Sequence, residues 1–317
     1  MTLQFTLLIV GLVILSVGAD VFVRGATNIA DSLGIPPLLI GLTVVAFGTS
    51  APELCVSMLA AFQGTSDIAV GNVLGSNIFN ILMIIGISAL MTPMKVDSSI
   101  IKREMPIMLV VMAFFAFFAS SGTISRVEGI SFAIGIFTYV FATYLNGRKD
   151  KITPEDLDIE KRPTWQNILI LVLGLAGLVG GSHLIVESAT VIARQFGVSE
   201  VVIGITLIAI GTSLPELATT VAAAMKGKPE LAIGNAIGSN VFNVLCVLGF
   251  TSVVLPLEVN PQVLAVDIWV MLVACIIPLF LMMIGKRVSR VDGVIMVGMY
   301  VSYMIYLVLL EGSIVSS

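Results

Sequence analysis

A glutamate stands twice inside an apolar run long enough to cross a bilayer, each time in the same setting. Gly48-Thr49-Ser50-Ala51-Pro52-Glu53 returns 163 residues later as Gly211-Thr212-Ser213-Leu214-Pro215-Glu216. A second block keeps the offset: Gly71-Asn72-Val73-Leu74-Gly75-Ser76-Asn77-Ile78-Phe79-Asn80 recurs as Gly234-Asn235-Ala236-Ile237-Gly238-Ser239-Asn240-Val241-Phe242-Asn243. Polar, glycine-broken segments in matching positions of two halves mark a transport site at membrane depth. The chain is 57% hydrophobic and 11% charged, with a mean hydropathy of +1.08, whereas a soluble domain is roughly a quarter charged. These values exclude a soluble domain and predict an all-α integral membrane protein.

Runs of about 20 apolar residues suffice to span a bilayer. They predict ten spans, at residues 3–24, 36–61, 68–92, 105–121, 127–145, 166–187, 200–225, 231–255, 263–285 and 291–311. No Lys or Arg precedes the first run, so it reads as a span rather than a removable signal peptide. The strongly polar stretch Asn146 to Gln166 reads as a solvated linker. The expected organisation is a first repeat at 1–146, a linker at 147–165 and a second repeat at 166–317.

Of the 16 Lys and Arg, only Arg126 and Arg194 fall in even-numbered loops. The positive-inside rule then puts the odd loops and the linker in the cytoplasm and both termini outside it. Five is an odd number of spans per half, so the second copy enters the membrane from the opposite side. The expected architecture is two inverted five-helix repeats, an arrangement suited to exposing a central site alternately to the two sides. The expected location is the inner (plasma) membrane, with the lipid bilayer as partner and neither a nucleic-acid partner nor an obligate protein partner.

Helical spacing places Thr49 and Ser50 on the face of Glu53. Pro52 lacks an N–H and displaces the carbonyl near Gly48, which frees backbone oxygens; in lipid these must be paired or hold something. With Thr212, Ser213 and Glu216, the hydroxyls of Ser76 and Ser239, and the amides of Asn80 and Asn243, the two halves offer a set of hard oxygens. Such a set suits Ca²⁺, while Zn²⁺ and copper favour His and Cys. Two carboxylates balance one Ca²⁺ or two Na⁺, and competition for shared oxygens is a mechanism of exchange. Gly71 and Gly75 read as a close-packing face. Asn72, Asn77, Asn235 and Asn240 each read equally well as site residues or as interhelical bonding groups. His183, the one histidine, repeats Asp20 and reads as a near-interface residue. Cys55, Cys246 and Cys275 fit no metal spacing and read as free thiols.

The paired motifs GTSAPE and GTSLPE, with GNVLGSNIFN and GNAIGSNVFN, resemble the two alpha repeats of the cation/Ca²⁺ antiporter superfamily, in particular its prokaryotic sodium/calcium exchangers. The resemblance covers nearly the full chain. It implies a ten-helix inverted-repeat fold with helices 2, 3, 7 and 8 around the ions, and first and sixth helices that slide past this core. It also implies ion-binding roles for Thr49, Ser50, Glu53, Ser76, Asn80, Thr212, Ser213, Glu216, Ser239 and Asn243, and for the carbonyls of Ala46 and Ala209. Some members carry aspartate where this chain has Asn243, so a third ionisable group is missing here. The expected activity is Ca²⁺ extrusion driven by Na⁺, without a cofactor and without enzymatic chemistry. Ca²⁺/H⁺ exchange and a passive cation channel are the rival readings.

Overall fold

A computed structural model describes residues 2–147, 163–196 and 209–315. The polar part of the expected linker, residues 148–162, and the first part of the expected seventh span lie outside the described residues. The helices, in chain order, are α1 (Thr2–Leu33), α2 (Pro37–Thr49), α3 (Ala51–Phe62), α4 (Ser66–Met91), α5 (Met105–Ala119) and α6 (Arg126–Gly147) in the first half. The second half contributes α7 (Thr164–Gln195), α8 (Ala209–Thr212), α9 (Leu214–Met225), α10 (Pro229–Val254), α11 (Val263–Met283) and α12 (Arg290–Val315).

Seven described helices are long and apolar enough to cross a membrane, and the bent pair α2–α3 brings the number to eight. This is fewer than the ten spans expected. The 15 residues of α5 fall short of the roughly 20 a straight span needs, and of the expected seventh span only the part from Ala209 onward lies among the described residues. A second departure is in length. Both α1 and α7 run for 32 residues, about 48 Å at 1.5 Å per residue, well past the ends expected at residues 24 and 187. Polar residues such as Asn28 and Asp31 are weak helix formers, but each costs only up to about 0.7 kcal/mol relative to alanine, which a helix already nucleated and packed along its apolar portion can carry.

Burial separates centre from periphery. In the most apolar stretch of each, 78% of α4 and 83% of α10 is buried, against at most 33% for the other spanning helices. These two helices carry the GNxxGSNxFN blocks and are therefore apolar or small on every face. Glycine permits the closest approaches around them. A Cβ on Gly41 would lie 2.8 Å from the Leu231 carbonyl oxygen, and one on Gly238 would lie 2.8 Å from Leu42 Cα. On the outside, α1 and α7 pack backbone to backbone through Gly11, Gly18, Gly25, Gly174 and Gly181.

Contacts between the halves come in pairs that follow the sequence repeat. Strand β1 (Met94–Lys95) pairs with β4 (Arg287–Val288), and β2 (Thr123–Ile124) pairs with β3 (Leu257–Glu258), both antiparallel. By repeat position β1 answers β3 and β2 answers β4, so the two pairings are equivalent and each joins strands of opposite halves. Gly129 of α6 abuts Gly249 of α10, and Gly293 of α12 abuts Gly86 of α4. Short π-helical turns repeat as well: Phe79–Ile84 answers Asn243–Leu248, and Ile100–Glu104 answers Val263–Asp267. Such wide turns occur often at functional sites, and the first of these two pairs begins at or beside Asn80 and Asn243.

Candidate ion-binding site

The site is built on two broken helices. At Ser50 (φ −81°, ψ 2°) the chain leaves the α-helical path, and α3 restarts at Ala51 with Pro52 in its first turn, at 41° to α2. Ser213 (φ −91°, ψ 6°) does the same, and α9 restarts with Pro215 in its first turn. Proline suits this place because the first turn of a helix has no intrahelical acceptor waiting for its missing N–H. Glu53 and Glu216 both lie in these first turns, where the unpaired N–H groups and the helix dipole favour a negative charge.

The break changes who serves whom. Equal helical spacing places Thr49 and Ser50 beside Glu53, but interruption at Ser50 turns the hydroxyls toward the other half. Ser213 Oγ donates to Glu53 Oε1 at 3.1 Å, and Ser50 Oγ donates to Glu216 Oε1 at 3.4 Å. Ser213 Oγ also lies 3.0 Å from Ser76 Oγ, and Thr49 Oγ1 lies 3.4 Å from Ser239 Oγ. Each glutamate is thus held by a hydroxyl from the opposite repeat.

Two asparagines brace the arrangement in the same crossed fashion. Asn72 Nδ2 donates to the Glu53 carbonyl at 3.2 Å and to Ser57 Oγ at 3.0 Å, while its Oδ1 accepts from Thr212 at 3.3 Å. Asn235 Nδ2 donates to the Glu216 carbonyl at 3.4 Å and to Thr220 Oγ1 at 2.9 Å, while its Oδ1 accepts from Thr49 at 3.3 Å. Ser57 and Thr220 escaped the sequence reading, although each follows its glutamate by four residues and the pair keeps the repeat offset. Groups that orient binding residues without touching the ion typically change affinity by about 10- to 100-fold when lost. We expect Asn72→Ala and Asn235→Ala each to weaken half-saturating Ca²⁺ by about tenfold, read by Ca²⁺ titration of transport, with the protein still assembled.

All of these side chains are buried, Glu53, Glu216, Asn80, Ser239 and Asn243 completely so. Among the described residues neither glutamate has an ion-pair partner, and Glu53 Oε2, Glu216 Oε2, Asn80 Oδ1 and Asn243 Oδ1 accept no hydrogen bond. Unpaired carboxylates and amide oxygens buried together are expensive, and a desolvated cation is the partner such oxygens suit. The two asparagines differ: Asn243 Nδ2 donates to Asn77 Oδ1 at 3.1 Å, whereas both polar atoms of the Asn80 amide lack a partner among the described residues. The Ala46 carbonyl accepts from Ser50 N at 3.0 Å and from Thr49 Oγ1 at 3.4 Å, so it is engaged within its own segment. Ala209 opens α8 at the edge of the described residues.

Other residues weighed from sequence lie elsewhere. His183 and Glu187 are an exposed pair 3.9 Å apart on α7, and Asp20 on α1 pairs with Arg24 at 2.8 Å and with Lys226. The three cysteines are free thiols.

A family model described as "Sodium/calcium exchanger protein" matches residues 3–145 and 166–309, leaving out the linker. CaxA of Alkalimonas amylolytica is 43% identical over 306 residues, spanning 93% of this chain and 95% of that protein. The sodium/calcium exchanger MaX1 of Methanosarcina acetivorans is 35% identical, spanning 96% of this chain and 99% of its own length. Among solved structures, the sodium-calcium exchanger NCX_Mj soaked with zero Na⁺ and Ca²⁺ superposes with a TM-score of 0.85 at 30% identity, covering 96% of this chain and 99% of NCX_Mj. Matched along both halves by the family model and end to end by these relatives, the chain belongs to the sodium/calcium exchanger family, a family of multi-pass membrane transporters.

Proposed function

We propose that this protein exchanges Na⁺ for Ca²⁺ by alternating access and runs in the direction of Ca²⁺ extrusion. What carries the reading is the pair of buried glutamates that face no basic side chain among the described residues, each with an oxygen left over. Their two negative charges balance one Ca²⁺ or two Na⁺. Filling by either species satisfies the same oxygens, so one displaces the other. The names of MaX1 and NCX_Mj support sodium as the coupled ion.

In this reading Glu53, Glu216, Ser50, Ser213, Thr49, Thr212, Ser76, Ser239, Asn80 and Asn243 hold the ions, with the Ala46 and Ala209 carbonyls turning toward them in part of the cycle. The chain forms ten membrane segments in two inverted repeats, 1–146 and 166–317, joined by a cytoplasmic linker, with both termini on the opposite side. Duplicated strand pairs, glycine contacts and π-helical turns support the repeat, and the Lys/Arg asymmetry supports its inversion.

The test is radiolabelled Ca²⁺ efflux from proteoliposomes loaded at fixed pH. An inward Na⁺ gradient is expected to drive efflux and a pH gradient alone is not. Efflux that follows the proton gradient and ignores Na⁺ would make this a Ca²⁺/H⁺ exchanger, and efflux that needs no opposing ion would make it a channel.

A further inference from the structure

The outer pair α1–α7 is fastened to the core unequally. Pro215 has no N–H to offer the carbonyl of Gly211, four residues earlier, and Ser182 of α7 fills that role: its buried Oγ donates to Gly211 O at 2.6 Å. Pro52 leaves the Gly48 carbonyl in the same condition, but the residue that repeats Ser182 is Ala19, which has no hydroxyl. A second fastening follows the same bias. Asp20 of α1 pairs with Lys226, just past the end of α9, as well as with Arg24 on its own helix. The repeat counterparts of Asp20 and Lys226 are His183 and Gln63, and His183 instead faces Glu187 on its own helix. Both fastenings tie the outer pair to the second broken helix, α8–α9, and neither has an equivalent available at α2–α3.

This matters because α1 and α7 interlock through backbone contact. A Cβ on Gly18 would lie 2.7 Å from Leu178 N, and one on Gly181 would lie 2.5 Å from Leu15 N. The two helices therefore move as one body. In a transporter made of inverted repeats, the opposite-facing state arises when the two repeats trade contacts as one bundle shifts against the other. In the traded state Ser182 leaves Gly211 and the replacing contact is Ala19 with Gly48; Asp20 leaves Lys226 and the replacing contact is His183 with Gln63. The hydrogen bond has no replacement, and a charged pair is exchanged for one that includes a neutral amide.

We infer that Ser182 is a positioning residue which, with the Asp20–Lys226 pair, biases the exchanger toward the arrangement seen here and so makes apparent Ca²⁺ affinity differ between the two membrane faces. The inference rests on alternating exchange. Apparent affinity on each face scales with the fraction of molecules open to it, so the ratio of the two half-saturating concentrations reports the bias.

The experiment measures Ca²⁺/Ca²⁺ self-exchange in proteoliposomes of uniform orientation, titrating Ca²⁺ from each side. Losing one hydrogen bond of ordinary net strength moves an equilibrium by about two- to tenfold. Ser182→Ala is expected to shift the ratio by that much in one sense, and Ser182→Thr to restore it. Lys226→Gln, which copies the first repeat, should shift it in the same sense as Ser182→Ala. Ala19→Ser should shift it in the same sense as Ser182→Ala, because its hydroxyl gains the Gly48 carbonyl only in the traded state; in the present state it can bond back to its own helix, as Ser16 and Thr27 do, so this variant stays informative if Ser182→Ala fails to assemble. Changes in maximal rate with an unmoved ratio, or shifts of Ser182→Ala and Ala19→Ser in opposite senses, overturn the inference. Unmodified protein without self-exchange would instead overturn the exchange reading on which it rests.

Discussion

Replacing either glutamate by glutamine should abolish Ca²⁺ exchange while leaving the protein folded. Glu53→Gln keeps the shape and one acceptor oxygen but removes one of two negative charges from a fully buried site. A desolvated Ca²⁺ would then face a single carboxylate, and a charge left uncompensated in a buried site is among the most expensive features a protein can carry. We expect at least a 100-fold loss of Ca²⁺ flux for Glu53→Gln and for Glu216→Gln, an effect in the range of about 3 kcal/mol or more when one member of a buried charge pair is lost. Stability should move the other way. In the absence of ions the carboxylates are the unsatisfied groups, so the neutral amide is expected to leave the thermal unfolding midpoint unchanged or raised. The unmodified protein should gain stability on adding Ca²⁺, by about 2.7 kcal/mol at 100 times its dissociation constant, and both variants should lose that gain. Flux together with Ca²⁺-dependent melting in detergent checks the prediction. Glu187→Gln, an exposed carboxylate on α7, is the control and should leave both readouts unaltered. Retention of more than a tenth of the flux in Glu53→Gln would remove that residue from the ion site.

Much of this was legible because membrane solvent leaves few options. Apolar runs had to be helices, and ionisable residues inside them had to be functional or paired. The repeat offset joined Glu53 to Glu216 and Asn80 to Asn243 without any structural knowledge, and the structure gathers the hydroxyls and glutamates in one buried, connected group. What spacing alone misassigned was partnership. Counting four residues from Thr49 to Glu53 presumes an unbroken helix, whereas the break that Pro52 enforces sends Ser50 to Glu216 and brings Ser213 to Glu53. The same cause hid Asn72 and Asn235, whose task is to hold the main chain of the restarted helix. Helix length was misread for another reason. Hydropathy marks where lipid must be, while α1 and α7 continue as helix beyond that point. Finally, symmetry in sequence concealed asymmetry in structure: Ala19 and Ser182 are unremarkable residues in a span until the Gly211 carbonyl is seen to need a donor.

Two adjacent glycines on α7 should give opposite outcomes when changed to valine, and this separates tight packing from mere tolerance of small residues. Gly181 faces α1, where a Cβ would lie 2.5 Å from Leu15 N, 2.8 Å from Leu15 Cα and 2.9 Å from the Gly11 carbonyl oxygen. All three obstacles are backbone, so no rotamer change makes room and the two helices must separate. In a membrane, helix association depends on this close contact, since lipid tails are as apolar as the side chains they would replace. Overpacking a well-filled interface typically costs about 1–3 kcal/mol, occasionally more, and here the larger end applies because the valine adds further methyl groups behind the clashing Cβ. Gly181→Val is therefore expected to abolish accumulation of folded, monodisperse protein or to lower its unfolding temperature by many degrees. Gly180 points away from α1, with nothing within 4 Å of its Cβ position. In that open position valine recovers part of glycine's conformational-entropy penalty in a helix, of roughly 0.5–1 kcal/mol relative to alanine. Gly180→Val should accumulate and melt like the unmodified chain and retain its flux. Size-exclusion profiles and melting curves for the two variants, side by side, check the pair. Equal tolerance at both positions would mean that α1 and α7 are not held together by backbone contact, and equal damage would mean that the outer face of α7 is itself a packing surface.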